Sequence, residues 1–429
     1  MPSLKAFSMI RLPLVVLFAL SLSGLATSAD WLQFRGSGGQ GHSDAKNLPL
    51  TWSETENVAW KVPIAGLGWS SPSIQGQQVW LTTAIDDGKS LRAVALDRKT
   101  GATIHDVELF ALEAPGSVHQ KNSHASPTPL IEGDRVYVHF GAHGTACVAT
   151  DGTLVWRNNE LKYDHRHGPG GSPVIFQDLL ILNCDGTDVQ FVVAFDKQTG
   201  EIRWKKKREH IGEDRLTGKS NVPMAYSTPL LIEINGTTQL LSCGADSIVA
   251  YNPRTGDEYW WFSYDGYSNV PRPVVGKGLV FISSGYDSPQ FYAVRVDGSG
   301  DVTDTHLAWN MKKASPLNPS PLLVGDELYL VSDNGIATCL DAVSGEQHWQ
   351  ERIGGNFSAS PTFADGRIYL LDEVGVTTVL APGKVFDKSK ILAPNKLDGR
   401  TLATPAFVDD TIFLRTDTHL YRIEKSTQR

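Results

Sequence analysis

The stretch Ser126–Trp156, SPTPLIEGDRVYVHFGAHGTACVATDGTLVW, reads as four short strands separated by turns. Ser126–Glu132 is a short apolar strand, Gly133-Asp134 turns the chain, and Arg135–Phe140 alternates apolar and polar residues as a second strand. After a loop at Gly141–Gly144, Thr145–Ala149 forms a third strand, Asp151-Gly152 a tight turn, and Thr153–Trp156 a fourth. Four short antiparallel strands in one unit make a propeller blade, and the 3.6-residue period of a helical repeat is absent.

The unit recurs. Pro72, Pro127, Pro173, Pro229, Pro273, Pro321, Pro361 and Pro405 each open an apolar, β-rich stretch, at spacings of 40 to 56 residues. A small residue precedes every one except the fifth, where Arg272 stands. Each proline is expected at the first residue of an innermost strand, where its missing amide is tolerated, so the residues before it should line one mouth of the ring. The turn between third and fourth strands repeats as Asp97–Gly101, Asp196–Gly200, Asn252–Gly256 and Asp341–Gly345. Its Asp or Asn side chain accepts amides two residues on, and its Gly takes positive φ. Trp156, Trp204, Trp260, Trp309 and Trp349 sit on outer strands, placed to pack between blades.

The eighth unit, Thr404 to Lys425, has only three strands, and Asn57–Pro63 is an orphan fourth strand carrying Trp60. The expected fold is therefore all-β: an eight-bladed β-propeller of four-stranded antiparallel blades, its ring closed by the N-terminal strand. Residues 57–429 form the propeller. Residues 30–56 form an arm over it, with Trp31, Phe34 and Trp52 as pins, and Phe110–Ala125 and Arg208–Ala225 are loop insertions.

Lys5 and Arg11 precede the apolar stretch Leu12–Ala26, and Thr27-Ser28-Ala29 supplies small residues for cleavage before Asp30. Residues 1–29 thus read as a signal peptide, which predicts a periplasmic or secreted protein. No later segment reads as a membrane span. With 39 basic and 47 acidic side chains and a formal charge of −8, the chain is a poor nucleic-acid binder. Cys147, Cys184, Cys243 and Cys339 lie far apart inside strands and read as buried free thiols without metal-ligand spacing. The run Lys205–Arg208 reads as a solvated strand end. A monomer is expected.

The Asp/Asn-x-x-Thr/Ser-Gly turn followed by Trp resembles the tryptophan-docking repeat of pyrroloquinoline quinone enzymes and their non-enzymatic relatives. Asp30-Trp-Leu-Gln-Phe-Arg-Gly36 and Gly68-Trp-Ser-Ser-Pro72 resemble a family of exported quinoprotein-like propellers. The enzyme branch implies pyrroloquinoline quinone with calcium beside a vicinal disulfide. This chain has no adjacent cysteines, and the enzymes' calcium-binding Glu and Asn and their catalytic Asp match no motif here. The non-enzymatic branch includes a propeller lipoprotein of outer-membrane β-barrel assembly, whose lipidation cysteine is missing.

Function is expected in the loops around the channel mouth. Between blades these supply Trp69, Lys121, Asn122 and His124, then His165, Arg166 and His167. Later loops add Tyr226, Arg272, Asn318 and Asn356. Loops within blades supply His143, Asp185, Asp188, Tyr286 and Asp287, together with Asp333, Asn334 and Glu373. Most of these acids also serve turns. His165-Arg-His167, directly before Gly168-Pro-Gly-Gly171, stands out, although two imidazoles without a third ligand do not specify a metal. There is no nucleophile elbow, phosphate loop or HExxH helix. The expected function is a binding or scaffold module for a protein partner or a small periplasmic ligand. The alternatives are a quinone- or metal-dependent oxidoreductase and a carbohydrate-active enzyme using the His/Asp mouth.

Overall fold

The computed structural model describes residues 30–286 and 289–426. Residues 1–29, read above as a signal peptide, and Asp287 lie outside them. The described strands form eight antiparallel blades, each in the order inner, second, third, outer. The inner strands are Ser73–Gln75, Leu130–Glu132, Val174–Phe176 and Leu230–Ile234 in blades 1 to 4. In blades 5 to 8 they are Val274–Gly276, Leu322–Val324, Thr362–Ala364 and Ala406–Val408. Val58–Pro63 pairs antiparallel with His419–Ile423 and becomes the outer strand of blade 8, so the two ends of the chain close the ring by hydrogen bonds.

The inner strands show why the prolines recur: all the repeat prolines except Pro127 fall one residue before the strand, outside the ladder that would need their amide. In blade 2 that position belongs to Pro129, not Pro127, because the strand starts at Leu130.

Outer-strand tryptophans bind the next blade. The indole N–H of Trp156 donates to the Lys197 carbonyl at 3.0 Å, that of Trp204 to Pro253 at 3.2 Å, and that of Trp309 to Ala342 at 3.1 Å. Trp349 donates to Gly383 at 2.9 Å and Trp60 to Arg98 at 3.2 Å, which carries the pattern across the closure. The turn glycine lies under the ring: a Cβ on Gly200 would meet Trp156 at 2.5 Å and one on Gly345 would meet Trp309 at 2.6 Å. Trp260 departs from the expectation. Its N–H goes to Gln239 of its own blade at 2.9 Å. The next blade's turn is expanded, and Gly300–Asp301 adds instead as a fifth, parallel strand beside Trp260 and Trp261.

The arm crosses the channel at the end opposite the interblade loops. Trp31 pairs with Ile74 of blade 1, Leu32 O receives Ile131 N of blade 2, and His42 bridges Phe363 of blade 7. Trp31 and Trp52 are buried against Phe407 and Tyr369. The channel is thus closed at one end by the chain's own N-terminal arm.

Candidate functional site

The other end of the channel opens as a cavity of about 320 Å³. Its rim is built from the interblade loops, and Phe34 of the arm lines its depth. Around the wall stand Ser71, Thr128, Ser172, Thr228, Ser320, Ser360 and Thr404, each the residue before the proline that leads into its inner strand. They form a crown of interblade clasps. The amide of Ser71 donates to Thr128 Oγ1 at 3.0 Å, Thr128 to Ser172 Oγ at 2.9 Å, and Ser172 to Thr228 Oγ1 at 2.9 Å. The series resumes with Arg272 to Ser320 Oγ at 2.9 Å, Ser320 to Ser360 Oγ at 3.0 Å and Ser360 to Thr404 Oγ1 at 3.0 Å. At six of the positions, all but Ser71 and Arg272, the small hydroxyl residue accepts the amide of the preceding blade. The sequence placed all of these wall residues at the mouth except Thr128, for which it offered Ser126, and it carried no sign of the clasps.

Above the crown the wall is aromatic and amide-bearing. Trp69, Asn122, His167, Tyr226 and Asn318, all expected at the mouth, line the cavity, joined by His119, Tyr267 and Tyr286. Trp69 is buried beneath Arg400, whose guanidinium lies 5.7 Å from the ring, and among the described residues the indole N–H has no partner. His167 packs against His119 and Tyr226, with centroids 5.4 and 6.2 Å away. Burial, with the charge of His119 adding, lowers the pKa of His167 below the usual imidazole value. Burial likewise holds the Tyr226 and Tyr286 phenols protonated by raising their pKa values. Asn122 donates to the His167 carbonyl at 2.8 Å, and Asn318 is held by Asp333. Lys121 pairs with Glu373 at 2.7 Å, and Ser358 donates to the same carboxylate at 2.6 Å.

The remaining expected residues sit elsewhere. The turn closed by Gly168 N to the His165 carbonyl parts the two imidazoles of His165-Arg-His167. His165 enters a separate cluster, 4.9 Å from His143 and 5.8 Å from Tyr163, and Arg166 is exposed. His124 lies 5.6 Å from His143 in the same cluster, outside the mouth. Burial, reinforced by neighbouring imidazoles, lowers His165 and His143 to about 4 and His139 to about 3. Among the described residues no three His, Cys, Asp or Glu side chains converge on a metal position.

Asp185 is buried in a two-pronged ion pair with Arg208, at 2.5 and 2.9 Å, so neither is a free mouth group and Arg208 is not a solvated strand end. Asn356 is exposed on its loop, where its carbonyl receives Glu373 N. Arg272 points below the crown, where it donates to Pro229 O and to Phe34 O of the arm, each at 2.9 Å.

The groups at the mouth do not fit pyrroloquinoline quinone with calcium. Glu373 and Asp333 are committed to Lys121 and Asn318. The four cysteines are free, buried within blades and distant from one another in sequence, and burial raises Cys147 and Cys243 to about 12. No step through a quinone follows from this arrangement.

A family model described as outer membrane protein assembly factor BamB matches residues 43–166, 91–341 and 301–402. The chain belongs to that family. Among solved structures it is similar to BamB from Moraxella catarrhalis, at 17% identity and a TM-score of 0.56 over 79% of this chain and 96% of the other. It is also similar to a europium-containing methanol dehydrogenase, at 10% identity and a TM-score of 0.64 over 92% and 98% of the two chains. At such identities the likeness is one of fold: a quinoprotein-like β-propeller. The 1-butanol dehydrogenase (quinone) of Thauera butanivorans is 26% identical over 203 residues, 43% of this chain. The match spans only 32% of that relative. No helix among the described residues is long and apolar enough to cross a membrane.

Proposed function

We propose that this chain is an exported binding propeller that takes a ligand, or the tip of a protein partner, into the mouth cavity. The observation that carries the reading is a preformed pocket, closed below by the arm, whose walls offer hydroxyl, amide and aromatic groups while the neighbouring carboxylates of Glu373 and Asp333 are already paired. Its volume falls within the range of small-ligand sites. The family description, an assembly factor, supports a partner-binding role. Export is supported by Lys5, Arg11 and the apolar Leu12–Ala26, and N-terminal sequencing of the mature protein should begin at Asp30.

A thermal-shift screen against sugars, amino acids and organic acids tests the binding reading. A hit should saturate and disappear in both Trp69→Ala and Asn318→Ala, and a panel whose hits ignore both substitutions refutes it. The quinone reading is supported by the butanol dehydrogenase relative. Titration with pyrroloquinoline quinone and calcium should leave the visible spectrum that of free cofactor. A saturable new band would replace the binding reading with an oxidoreductase.

A further inference from the structure

A hydroxyl has one proton and two lone pairs. In the crown, Thr128, Ser172, Thr228, Ser320, Ser360 and Thr404 each accept a neighbouring amide, except that Thr404 and Thr228 themselves begin no clasp onward. Among the described residues no protein oxygen receives the proton of any of these six hydroxyls. A ring of O–H donors therefore surrounds the channel with its protons uncommitted.

Two guanidiniums sit at the level of the prolines that follow the crown. Arg35 donates from Nη2 to Pro321 O at 2.7 Å and Pro361 O at 3.3 Å, the carbonyls next to Ser320 and Ser360. Arg272 donates to Pro229 O, next to Thr228. Both are buried, and among the described residues their guanidiniums donate only to backbone carbonyls. Among the described residues the Nε and Nη1 groups of Arg35 have no hydrogen-bond partner. A buried cation without a counter-charge is costly, and burial together with repulsion from Arg272 brings Arg35 down to about 9. Neither guanidinium lines the mouth cavity, and Arg272 borders a separate pocket with Leu32, Gln33 and Gly38, so the pair can act on the cavity only through its positive field.

We propose that the crown and the Arg35–Arg272 pair form an anion site, so that the mouth cavity takes its ligand by an anionic oxygen group (carboxylate, sulfate or phosphate). The acid group sits on the axis, accepting crown protons above the guanidiniums, and the body of the ligand lies between Trp69, Tyr226 and Tyr286. This rests on the mouth cavity being a binding site.

Calorimetric titration of the mature full-length chain with sodium acetate, sulfate and phosphate at fixed ionic strength, with glucose as the neutral probe, tests it. At least one oxyanion should bind saturably at one site, and Arg272→Ser should weaken it roughly tenfold or more. That substitution installs the residue class found at the other junctions and gives the Thr228 amide an acceptor, so the ring is retained. Arg272→Lys, which keeps the charge, should stay within a few-fold of wild type. Ser71→Ala removes a donor whose oxygen receives no crown amide, and should weaken binding without loosening a clasp. Absence of saturable heat with all three anions, or identical heats in wild type and Arg272→Ser, overturns the proposal. If glucose binds and the anions do not, the anion site falls and the binding propeller stands. Loss of every mouth ligand removes both.

Discussion

Replacing Gly200 with alanine isolates what the tryptophan-docking turn contributes. Gly200 has φ +75°, and a Cβ there would lie 2.5 Å from Trp156 Cε3 and 2.6 Å from Cδ2. Positive φ alone costs an L-residue about 1 kcal/mol. To admit the methyl, the indole must lift, which breaks its 3.0 Å bond to Lys197 O and disturbs its stacking on Phe195 (6.4 Å, 23°). Those losses are about 1 kcal/mol each. Gly133→Ala is the reference: its φ is +59° with no heavy atom within 4 Å of the new Cβ. At the equivalent turn of other blades Gln177, Lys277 and Asp365 already hold positive φ, so the backbone there tolerates a side chain. Gly200→Ala should therefore cost about 3 kcal/mol and Gly133→Ala about 1 kcal/mol. Urea unfolding of both variants, followed by far-UV circular dichroism and analysed with a common m-value, measures the gap. Equal midpoints would mean that the glycines serve only the turn and that docking adds nothing.

The crown makes a second prediction: Ser360→Ala strands the buried Ser320 amide and should cost about 1–3 kcal/mol, whereas Ser360→Thr should be close to neutral in the same urea assay. Asp185→Asn leaves the Arg208 guanidinium buried without its counter-ion and should lower stability by about 3–5 kcal/mol, more than the paired change that removes both charges. Acid should weaken the fold through the imidazole cluster. His165 and His143 sit at about 4 in the folded protein, below the unfolded value near 6.5, so between those limits the unfolded chain binds more protons and stability falls as pH falls. His165→Gln should flatten that decline in thermal melts from pH 7 to 4; an unchanged slope would show that the cluster does not carry it.

The ring was legible because its devices are local. An Asp-x-x-Thr-Gly turn closes on itself, as Asp196 Oδ1 shows by accepting the amides of Gln198 and Thr199. A missing fourth strand at one end and a spare one at the other likewise imply closure. Blade 2 shows the limit of such reading. Ser126-Pro-Thr-Pro129 offers two small-residue–proline pairs, and a shift of two residues leaves strand alternation unchanged. Only the clasps to Ser71 and Ser172 single out Thr128. The site was less legible because its partners are remote in sequence. Asp185 meets Arg208 across 23 positions, and nothing local marks the pair as buried. His165 and His167 look like a pair in sequence, but the turn between them sends one to the mouth and the other to the imidazole cluster.

Arg272 links these two levels. In sequence it interrupts the small-residue rule, and on that ground blade 5 is the least regular unit; in the structure the blade is complete. What changes is the means of attachment. A hydroxyl at this position would receive the Thr228 amide, whereas the guanidinium reaches Pro229 O of the preceding blade and Phe34 O and Gly39 O of the arm. One interblade clasp is thus exchanged for a tie between ring and plug, and Arg35 makes the reciprocal tie from the plug to Pro321 O and Pro361 O. The two ties place two cations under the cavity floor, a cost that serving as an anchor alone does not explain, since carbonyl-seeking amides or hydroxyls would hold the arm without charge. The exception to the repeat is therefore where the closed end of the channel and the chemistry of its open end are set together.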